Sequence, residues 1–113
     1  MNKFHAKTVW YDGKKFDSKH EFERYLLLMD KQHRGEIYGL QCQKKFTIID
    51  AQYNGKKRVQ ETKYIADFAY YETGTNKMVV EDAKGYKKGA AYQLFTVKRK
   101  LMLQRHGIWV LEV

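Results

Sequence analysis

Acidic and basic side chains cluster at the end of an apolar stretch, residues 79–85, with the sequence VVEDAKG. Its two valines are β-branched and follow a turn-like segment, which predicts the second arm of a hairpin. Asp82 and Lys84 share one face of such a strand, whereas Glu81 points to the other face. An acid beside a lysine can bind a hard cation and offset the charge that develops on a phosphate. The ordinary alternative is a structural salt bridge.

The first arm of this hairpin is predicted at residues 64–71. If Gly74 and Thr75 are the loop residues of a type II′ turn, Asp67 lies opposite Asp82. Two close carboxylates repel each other, and burial raises the cost further, so a cation is expected between them. Mg²⁺ or Mn²⁺ is the expected ion, because a hard divalent cation takes oxygen ligands and leaves positions for water and substrate phosphate.

The same register directs Glu81 and Ala83 to the opposite face, together with Phe68 and Ala66. A slip of one residue would bring Glu81 to the place expected for Asp82. The sequence favours Asp82 as the ligand, because it shares a face with the lysine whatever the register, but it leaves the choice between the two acids open.

A helix is predicted to begin after Ser18 and to end at Gly35. Ser18 can be its N-cap and Glu21 the reciprocal residue of a capping box, which would explain that glutamate fully. Tyr25 and Leu28 lie on the same side of the helix as Glu21, so Glu21 is also expected to point inward. The predicted apolar stripe consists of Phe22, Tyr25, Leu26 and Met29.

The other predicted elements are a hairpin over residues 8–16, a long or bent strand over 37–50 with a bulge at Gly39, a strand over 58–63 after the Asn54-Gly55 turn, a helix over 92–106 and a strand over 108–113. The apolar face of the second helix is predicted at Leu94, Phe95, Val97, Leu101 and Met102. The order of these elements predicts an α+β fold in which a central mixed or antiparallel sheet is flanked by two helices.

The composition indicates one folded, basic domain spanning residues 1–113. The chain is 43% hydrophobic, and its 22 Lys and Arg against 13 Asp and Glu give a net charge of +9. This balance suits a polyanionic partner such as nucleic acid, although basic side chains are often only solvated. The candidates for DNA contact are Lys56, Lys57, Lys87, Lys88, Lys98 and Arg99.

Two classes of protein are disfavoured by the sequence. The single Cys42 cannot form an intramolecular disulfide, and the four histidines show no zinc-ligand spacing. No apolar run reaches the roughly 20 residues of a membrane span, and residues 1–5 lack a signal-peptide core. An intracellular protein without a membrane partner is expected.

With these elements in order, the chain resembles the PD-(D/E)XK nuclease superfamily, which includes restriction enzymes and archaeal-type Holliday-junction resolvases. The shared pattern is a glutamate on the first helix, an aspartate in a strand and an acid-x-lysine sequence in the next strand. The stretches FDSKHE (16–21), QKKF (43–46), YIADF (64–68) and VEDAKG (80–85) are more closely similar to a family of small phage-encoded proteins assigned to that superfamily.

The resemblance implies a restriction-endonuclease-like fold and a role for each matching residue. It implies that Glu21, Asp67 and Asp82 are metal ligands and that Lys84 assists the attacking water. It makes Gln43 and Lys98 neighbours of the site. The chain has Ala66 where the superfamily name has proline and Asp82, next to Glu81, where glutamate is commoner.

The expected function is therefore that of a magnesium-dependent DNA endonuclease. The resemblance to phage-encoded proteins implies that this enzyme acts in the host cytoplasm, in recombination or replication. Its substrate would be duplex or branched DNA, such as a Holliday junction. Cutting two strands symmetrically needs two sites, which a homodimer supplies most simply. The alternative is a nucleic-acid-binding or phage accessory protein that does not cut. Three acids on the binding face favour the nuclease, because a pure phosphate binder gains nothing from them.

Overall fold

A computed structural model of the protein describes residues 7–85 and 87–113. The N-terminal segment considered as a signal peptide and Tyr86 of the basic loop lie outside the described residues. The elements are β1 (Val9–Tyr11), β2 (Lys14–Phe16), α1 (Lys19–His33), β3 (Ile37–Ile49), β4 (Gln52–Asn54), β5 (Lys57–Val59), β6 (Thr62–Glu72), β7 (Met78–Asp82), α2 (Gly89–His106) and β8 (Leu111–Glu112).

The central sheet has the strand order β3-β6-β7-β8. The first two pairs are antiparallel, and β8 runs parallel to β7 after the α2 crossover. Strands β1 and β2 form a separate hairpin, as do β4 and β5. The predicted α+β fold with a mixed sheet and two helices is confirmed.

Two hydrophobic clusters cover the two faces of this sheet. One contains Leu28 of α1 and Phe68 of β6, and the other contains Phe95 of α2 and Ala69 of β6. Because adjacent residues of a strand point to opposite faces, the two helices pack on opposite sides of β6. The sheet therefore has no open central face.

The alternation of β6 breaks at Asp67. Ala66 and Ala69 belong to the same cluster although three positions separate them, whereas Phe68 belongs to the other. The facing residue of β3, Gln43, has a φ of 54°, a conformation that non-glycine residues adopt rarely. The expectation that Ala66 shares a face with Phe68 is therefore wrong, because both strands turn over at this point.

The predicted hairpin register is confirmed, because Phe68 pairs with Glu81. The predicted two-residue turn is wrong, since the N–H of Glu72 donates to the carbonyl of Lys77 at 3.0 Å and encloses four loop residues. The predicted two-residue turn and the observed four-residue loop are both centred between Gly74 and Thr75, so both give the same strand pairing. Strand β7 ends at Asp82, so Lys84 follows the strand instead of lying within it.

The buried faces of both helices differ from the predicted stripes. In α1 the buried residues are Glu21, Tyr25 and Leu28, while the predicted Leu26 and Met29 are 41% and 40% exposed. In α2 the predicted Leu94 and Val97 are 54% and 52% exposed. The α1 stripe is displaced because the polar Glu21 and Arg24 find partners at the sheet, which hydrophobicity alone does not reveal.

Three element boundaries also differ from the predictions. α2 begins at Gly89 instead of residue 92. The last strand is only Leu111–Glu112 instead of 108–113, and a separate strand, Lys57–Val59, precedes β6. The predicted bulge at Gly39 is confirmed, since the pairing of β3 shifts between Tyr38 and Gln41.

Candidate active site

A cavity of about 320 Å³ lies between the break in β6, the end of β7 and the first turns of α2. Five of the predicted site residues line it, namely Gln43, Asp67, Asp82, Lys84 and Lys98. The other lining residues are Asp17, Lys63, Tyr64, Ile65, Ala91, Leu94 and Phe95. Residues from five separate parts of the chain are thus brought to one opening.

Asp82 is the last residue of β7 and is only 6% exposed. Its Oδ2 accepts a hydrogen bond from the hydroxyl of Tyr64 at 2.5 Å, and its Oδ1 lies 3.4 Å from Nζ of Lys84. The backbone at this point is held by the C-terminal segment, because the N–H of Val113 donates to the carbonyl of Asp82 at 3.0 Å. The position of this carboxylate is therefore fixed from two directions.

Asp67 occupies the break in β6 and faces the end of β7. Its Oδ2 accepts from the N–H of Ala83 at 2.8 Å, and its Oδ1 accepts from Nε2 of Gln43 at 3.3 Å. Unusual backbone conformations such as that of Gln43 persist where the surrounding structure enforces them, often at functional sites. The break turns the aspartate toward the cavity while the flanking residues remain in the two cores.

Glu21 joins these acids from α1, in agreement with the prediction that it points inward. Its N–H donates to Oγ of the N-cap Ser18 at 3.1 Å, which is the first half of the predicted capping box. Burial and the charge of Asp17 raise the pKa of the Glu21 carboxyl group, and Asp67 and Asp82 are close enough to act on that pKa as well. Three carboxyl groups therefore meet within one interacting cluster.

The closeness of these acids changes their protonation. Burial, followed by the hydrogen bond and charge of Asp67, raises the pKa of Asp82 to about 7, against the opposing effects of Tyr64 and Lys84. Burial is also the main cause that raises the pKa values of Asp67 and Glu21. Asp82 therefore keeps its proton up to near neutral pH, because buried negative charges that lie close together repel one another.

Lys84 is held beside the acids by an aromatic ring. Its Nζ lies 4.3 Å from the centroid of Phe95, which is a cation–π distance. Its N–H donates to the carbonyl of Val113 at 3.3 Å. The side chain is 24% exposed and lines the cavity while it remains held by these contacts.

Glu81 lies on the opposite face of β7 and is completely buried. Arg24 donates to its two oxygens at 2.8 and 2.6 Å, and the hydroxyl of Tyr70 donates to it at 2.5 Å. Of the two acids that the sequence left open, Asp82 is the one beside Lys84 at the cavity. Glu81 instead joins α1 to the sheet.

The basic residues predicted to contact DNA lie on several different elements. Lys98 lines the cavity, Lys87 pairs with Glu112 at 3.3 Å, and Lys88 is the N-cap residue of α2. Lys56 and Lys57 lie in the exposed β4–β5 hairpin.

The placement of Arg99 disagrees with a role in DNA contact. Its guanidinium lies 3.9 Å from the ring centroid of Trp109, its Nε donates to the carbonyl of Val110 at 2.8 Å, and it pairs with Glu112 at 3.3 Å. The side chain is only 17% exposed. These contacts use Arg99 to attach the final strand to α2.

Sequence reasoning missed three polar residues of the site, namely Asp17, Lys63 and Tyr64. Tyr64 orients Asp82, and Asp17 lines the cavity and adds to the charge acting on Glu21. Asp17 directly precedes the helix cap, so its nearness to Glu21 was available from the sequence. The position of Tyr64 at the site could not be predicted from the sequence, because regular alternation along the strand would place its side chain on the opposite face from Asp67.

The acids are an open cluster and not a closed cage. Within residues 7–85 and 87–113, no three His, Cys, Asp or Glu side chains form a ready-made metal group. Mg²⁺ commonly binds through only one or two protein carboxylates, with water and phosphate as its other ligands. Asp67 and Asp82 fit that simpler requirement, because both line the cavity and a cation would offset the repulsion by which Asp67 raises the pKa of Asp82.

Comparison with known proteins places the chain in a family. Residues 1–111 match the family described as "Protein of unknown function (DUF1064)", and the chain belongs to it. No curated protein and no solved structure shows significant similarity to the chain. No helix of the described part is long and apolar enough to cross a membrane.

Proposed function

We propose that the protein is a metal-dependent nuclease of the PD-(D/E)XK type that hydrolyses phosphodiester bonds in DNA. The observation that carries the proposal is the convergence of Asp67, Asp82 and Lys84 on one cavity, with the buried Glu21 close enough for Asp67 and Asp82 to act on its pKa. Burying three acids together costs free energy, as their raised pKa values indicate. A site that binds a divalent cation recovers this cost, whereas a site that only binds phosphate does not.

Each side chain has a distinct part in the proposed chemistry. Asp67 and Asp82 would hold the cation, and Glu21 would bind either the cation or a water molecule beside it. A bound Mg²⁺ or Mn²⁺ supplies a Lewis acid and lowers the pKa of its water. Lys84 is placed to offset the negative charge that develops on the phosphate.

Tyr64 and Gln43 orient the acids. The Tyr64 hydroxyl donates to one oxygen of Asp82, and the Gln43 amide donates to one oxygen of Asp67. Each therefore fixes one carboxylate oxygen and sets the direction of the other. Positioning of this kind matters because displacement of a ligand by about 1 Å can cost on the order of 100-fold in rate.

The substrate follows from charge. The net charge of +9 favours a polyanion, and Lys63 and Lys98 stand at the opening of the cavity, where a phosphate backbone can lie. Duplex or branched DNA is the proposed substrate, including four-way junctions cut by a homodimer. Action in a host cell's cytoplasm belongs to the same proposal.

The experiment that tests this function is cleavage of supercoiled plasmid with Mg²⁺ or Mn²⁺ and with EDTA. We expect nicked or linear product only with the metals. Asp82→Asn and Lys84→Ala should each abolish cutting while DNA binding persists. Asp30→Asn is the matched control, since that acid is exposed near the C-terminal end of α1 and pairs only with Arg34 at 3.2 Å. Full cutting by both site variants would refute the proposal.

A second candidate function is DNA binding without cleavage. The observation that favours it is that both oxygens of Asp82 are already engaged, one by Tyr64 and one by Lys84. Such contacts are also what a structural network would need. The plasmid assay separates the two functions, because a pure binding protein would retard DNA and leave it intact with every metal.

A further inference from the structure

The β4–β5 hairpin is a two-stranded ribbon that lies outside both hydrophobic clusters. Gln52–Asn54 and Lys57–Val59 pair with each other as a separate sheet, and all six residues are exposed. Tyr53 is 70% exposed and Val59 is 42% exposed. A hairpin that buries so little contributes little to folding, so its regular structure calls for another explanation.

The base of this ribbon is firmly attached to the domain. On its N-terminal side, Asp50 receives two hydrogen bonds from Arg105 of α2, at 2.8 and 2.7 Å. On its C-terminal side, Glu61 accepts from Oγ1 of Thr47 at 2.9 Å. The two acids that flank the ribbon are therefore used to fix its direction.

The charge of the ribbon has a single sign. Residues 51–60 contain Lys56, Lys57 and Arg58 and no acid. The polar residues Gln52, Asn54 and Gln60 alternate with exposed apolar or aromatic ones. Basic side chains suit phosphates, and amide side chains can hydrogen-bond to base edges.

The ribbon continues into the strand that carries the candidate active site. Lys63 and Ile65 line the cavity, and Asp67 lies eight residues after the end of β5. Eight residues of extended chain span no more than about 27 Å. One turn of duplex DNA is about 34 Å long, so ribbon and cavity can contact one duplex within a single turn.

We propose that the β4–β5 ribbon is an arm that enters the major groove of duplex DNA bound at the cavity. The major groove is wide enough for a two-stranded β-ribbon. Lys56, Lys57 and Arg58 contact phosphates beside the groove, and Gln52 and Asn54, which share one face of the ribbon, face the bases. The identification of DNA as the partner rests on the proposed nuclease function. The arm adds to that function by determining where the enzyme binds its substrate.

The test compares two double variants with equal charge. Lys56→Gln/Lys57→Gln removes two cations from the arm. Lys31→Gln/Lys77→Gln removes two from the opposite end of the sheet, where the N–H of Thr73 donates to the carbonyl of Glu36 at 3.1 Å. Binding of a fluorescent 30-base-pair duplex is measured in EDTA over a range of salt concentrations. All these side chains are at the surface or partly exposed, so both variants should fold, as circular dichroism will verify.

The arm variant should lose affinity by about 10-fold or more at low salt, and its plot of log K against log salt should flatten by about 0.9 for each lost phosphate contact. The control variant should lose less than about threefold. Equal losses in the two variants, or no loss in the arm variant, would overturn the proposal.

The readouts keep this proposal separate from the nuclease function. Binding in EDTA does not depend on cleavage, so an arm effect without plasmid cutting by the unaltered protein would refute only the nuclease. Conversely, unchanged binding by the arm variant together with metal-dependent cutting would refute only the arm.

Discussion

Arg24 and Glu81 form a two-contact ion pair on the side of β7 that faces away from the cavity, at 2.8 and 2.6 Å. Since Glu81 and Asp82 are adjacent in a strand, holding one on α1 directs the other to the cavity. Glu21 lies one helical turn before Arg24, so the same ion pair sets the approach of α1 to the acids. One structural contact thus positions two of the three candidate ligands.

Loss of this ion pair should be costly to stability. Arg24→Ala leaves the fully buried Glu81 with only the Tyr70 hydroxyl as a partner, and we expect a decrease of roughly 3–5 kcal/mol in the free energy of unfolding. Urea denaturation measures it. The control is Arg34→Ala, because the ion pairs of Arg34 are exposed and should contribute no more than about 1 kcal/mol. Similar losses in the two variants would contradict the positioning role.

Substitutions at Ser18 and Glu21 should distinguish a role in capping α1 from a role in catalysis. Ser18→Ala removes the hydroxyl that caps α1 and should lower stability by about 1 kcal/mol with activity retained. Glu21→Gln keeps the helix and removes a charge, so the melting temperature should change little while metal-dependent cleavage falls by orders of magnitude. Thermal melts and plasmid cleavage are measured on both variants. If Glu21→Gln keeps full activity and loses about 1 kcal/mol of stability, Glu21 is only a capping residue.

The acid cluster should make the metal-free protein less stable as the pH rises. The pKa of Asp82 is about 7 in the folded protein, whereas the ordinary pKa of an aspartate is 3.8, so between these values the folded state binds more protons than the unfolded state. Stability contributed by that proton is therefore complete below about pH 4 and is lost up to about pH 7. The raised pKa values of Asp67 and Glu21 act in the same direction.

Urea denaturation in EDTA between pH 4.5 and 8 measures this dependence. Asp82→Asn should flatten the decline and be more stable than the unaltered protein at pH 8, whereas Asp30→Asn should follow the unaltered protein. A stability that rises with pH over this interval in the unaltered protein, with no change in slope for Asp82→Asn, would show that the acids are not coupled.

The hairpin shows how much of the site could be predicted from the sequence. Glycine and asparagine located the centre of the turn, and strand pairing depends on that centre instead of on the turn type. The closeness of Asp67 to Asp82 and Lys84 could therefore be predicted even though the predicted turn type was wrong. The inward direction of Glu21 was also predictable, because its helical neighbours Tyr25 and Leu28 are apolar.

Other features depend on contacts distant in sequence. The break at Gln43 and Asp67 leaves no local signal, because neither residue is a glycine, and it alone brings Tyr64 to Asp82. The position of Arg99 beside Trp109 depends on how the final strand packs. The sequence does not show whether a basic residue in a helix binds DNA or another part of the same chain.

The final prediction concerns oligomeric state and substrate. Symmetric cutting of a four-way junction requires two sites, and an isologous homodimer is the simplest way to provide them. Two surfaces are candidates for the dimer contact, namely the C-terminal residues 108–113 and the exposed aromatic residues of the β1–β2 hairpin. The C-terminal residues are largely used within the domain, since Val110 is fully buried. The β1–β2 hairpin is more available, because Trp10 is 69% exposed and Tyr11 49% exposed.

We therefore expect a dimer in analytical ultracentrifugation that Trp10→Ser converts to a monomer, while the matched exposed-aromatic variant Tyr53→Ser leaves it a dimer. The unaltered protein should bind a four-way junction more tightly than a linear duplex of the same length, and salt should weaken both complexes. Trp10→Ser should lose the preference for the junction and retain nicking of plasmid, because each active site lies within one chain. A monomer that binds and cuts linear duplex as well as the junction would refute the resolvase version and leave a general endonuclease.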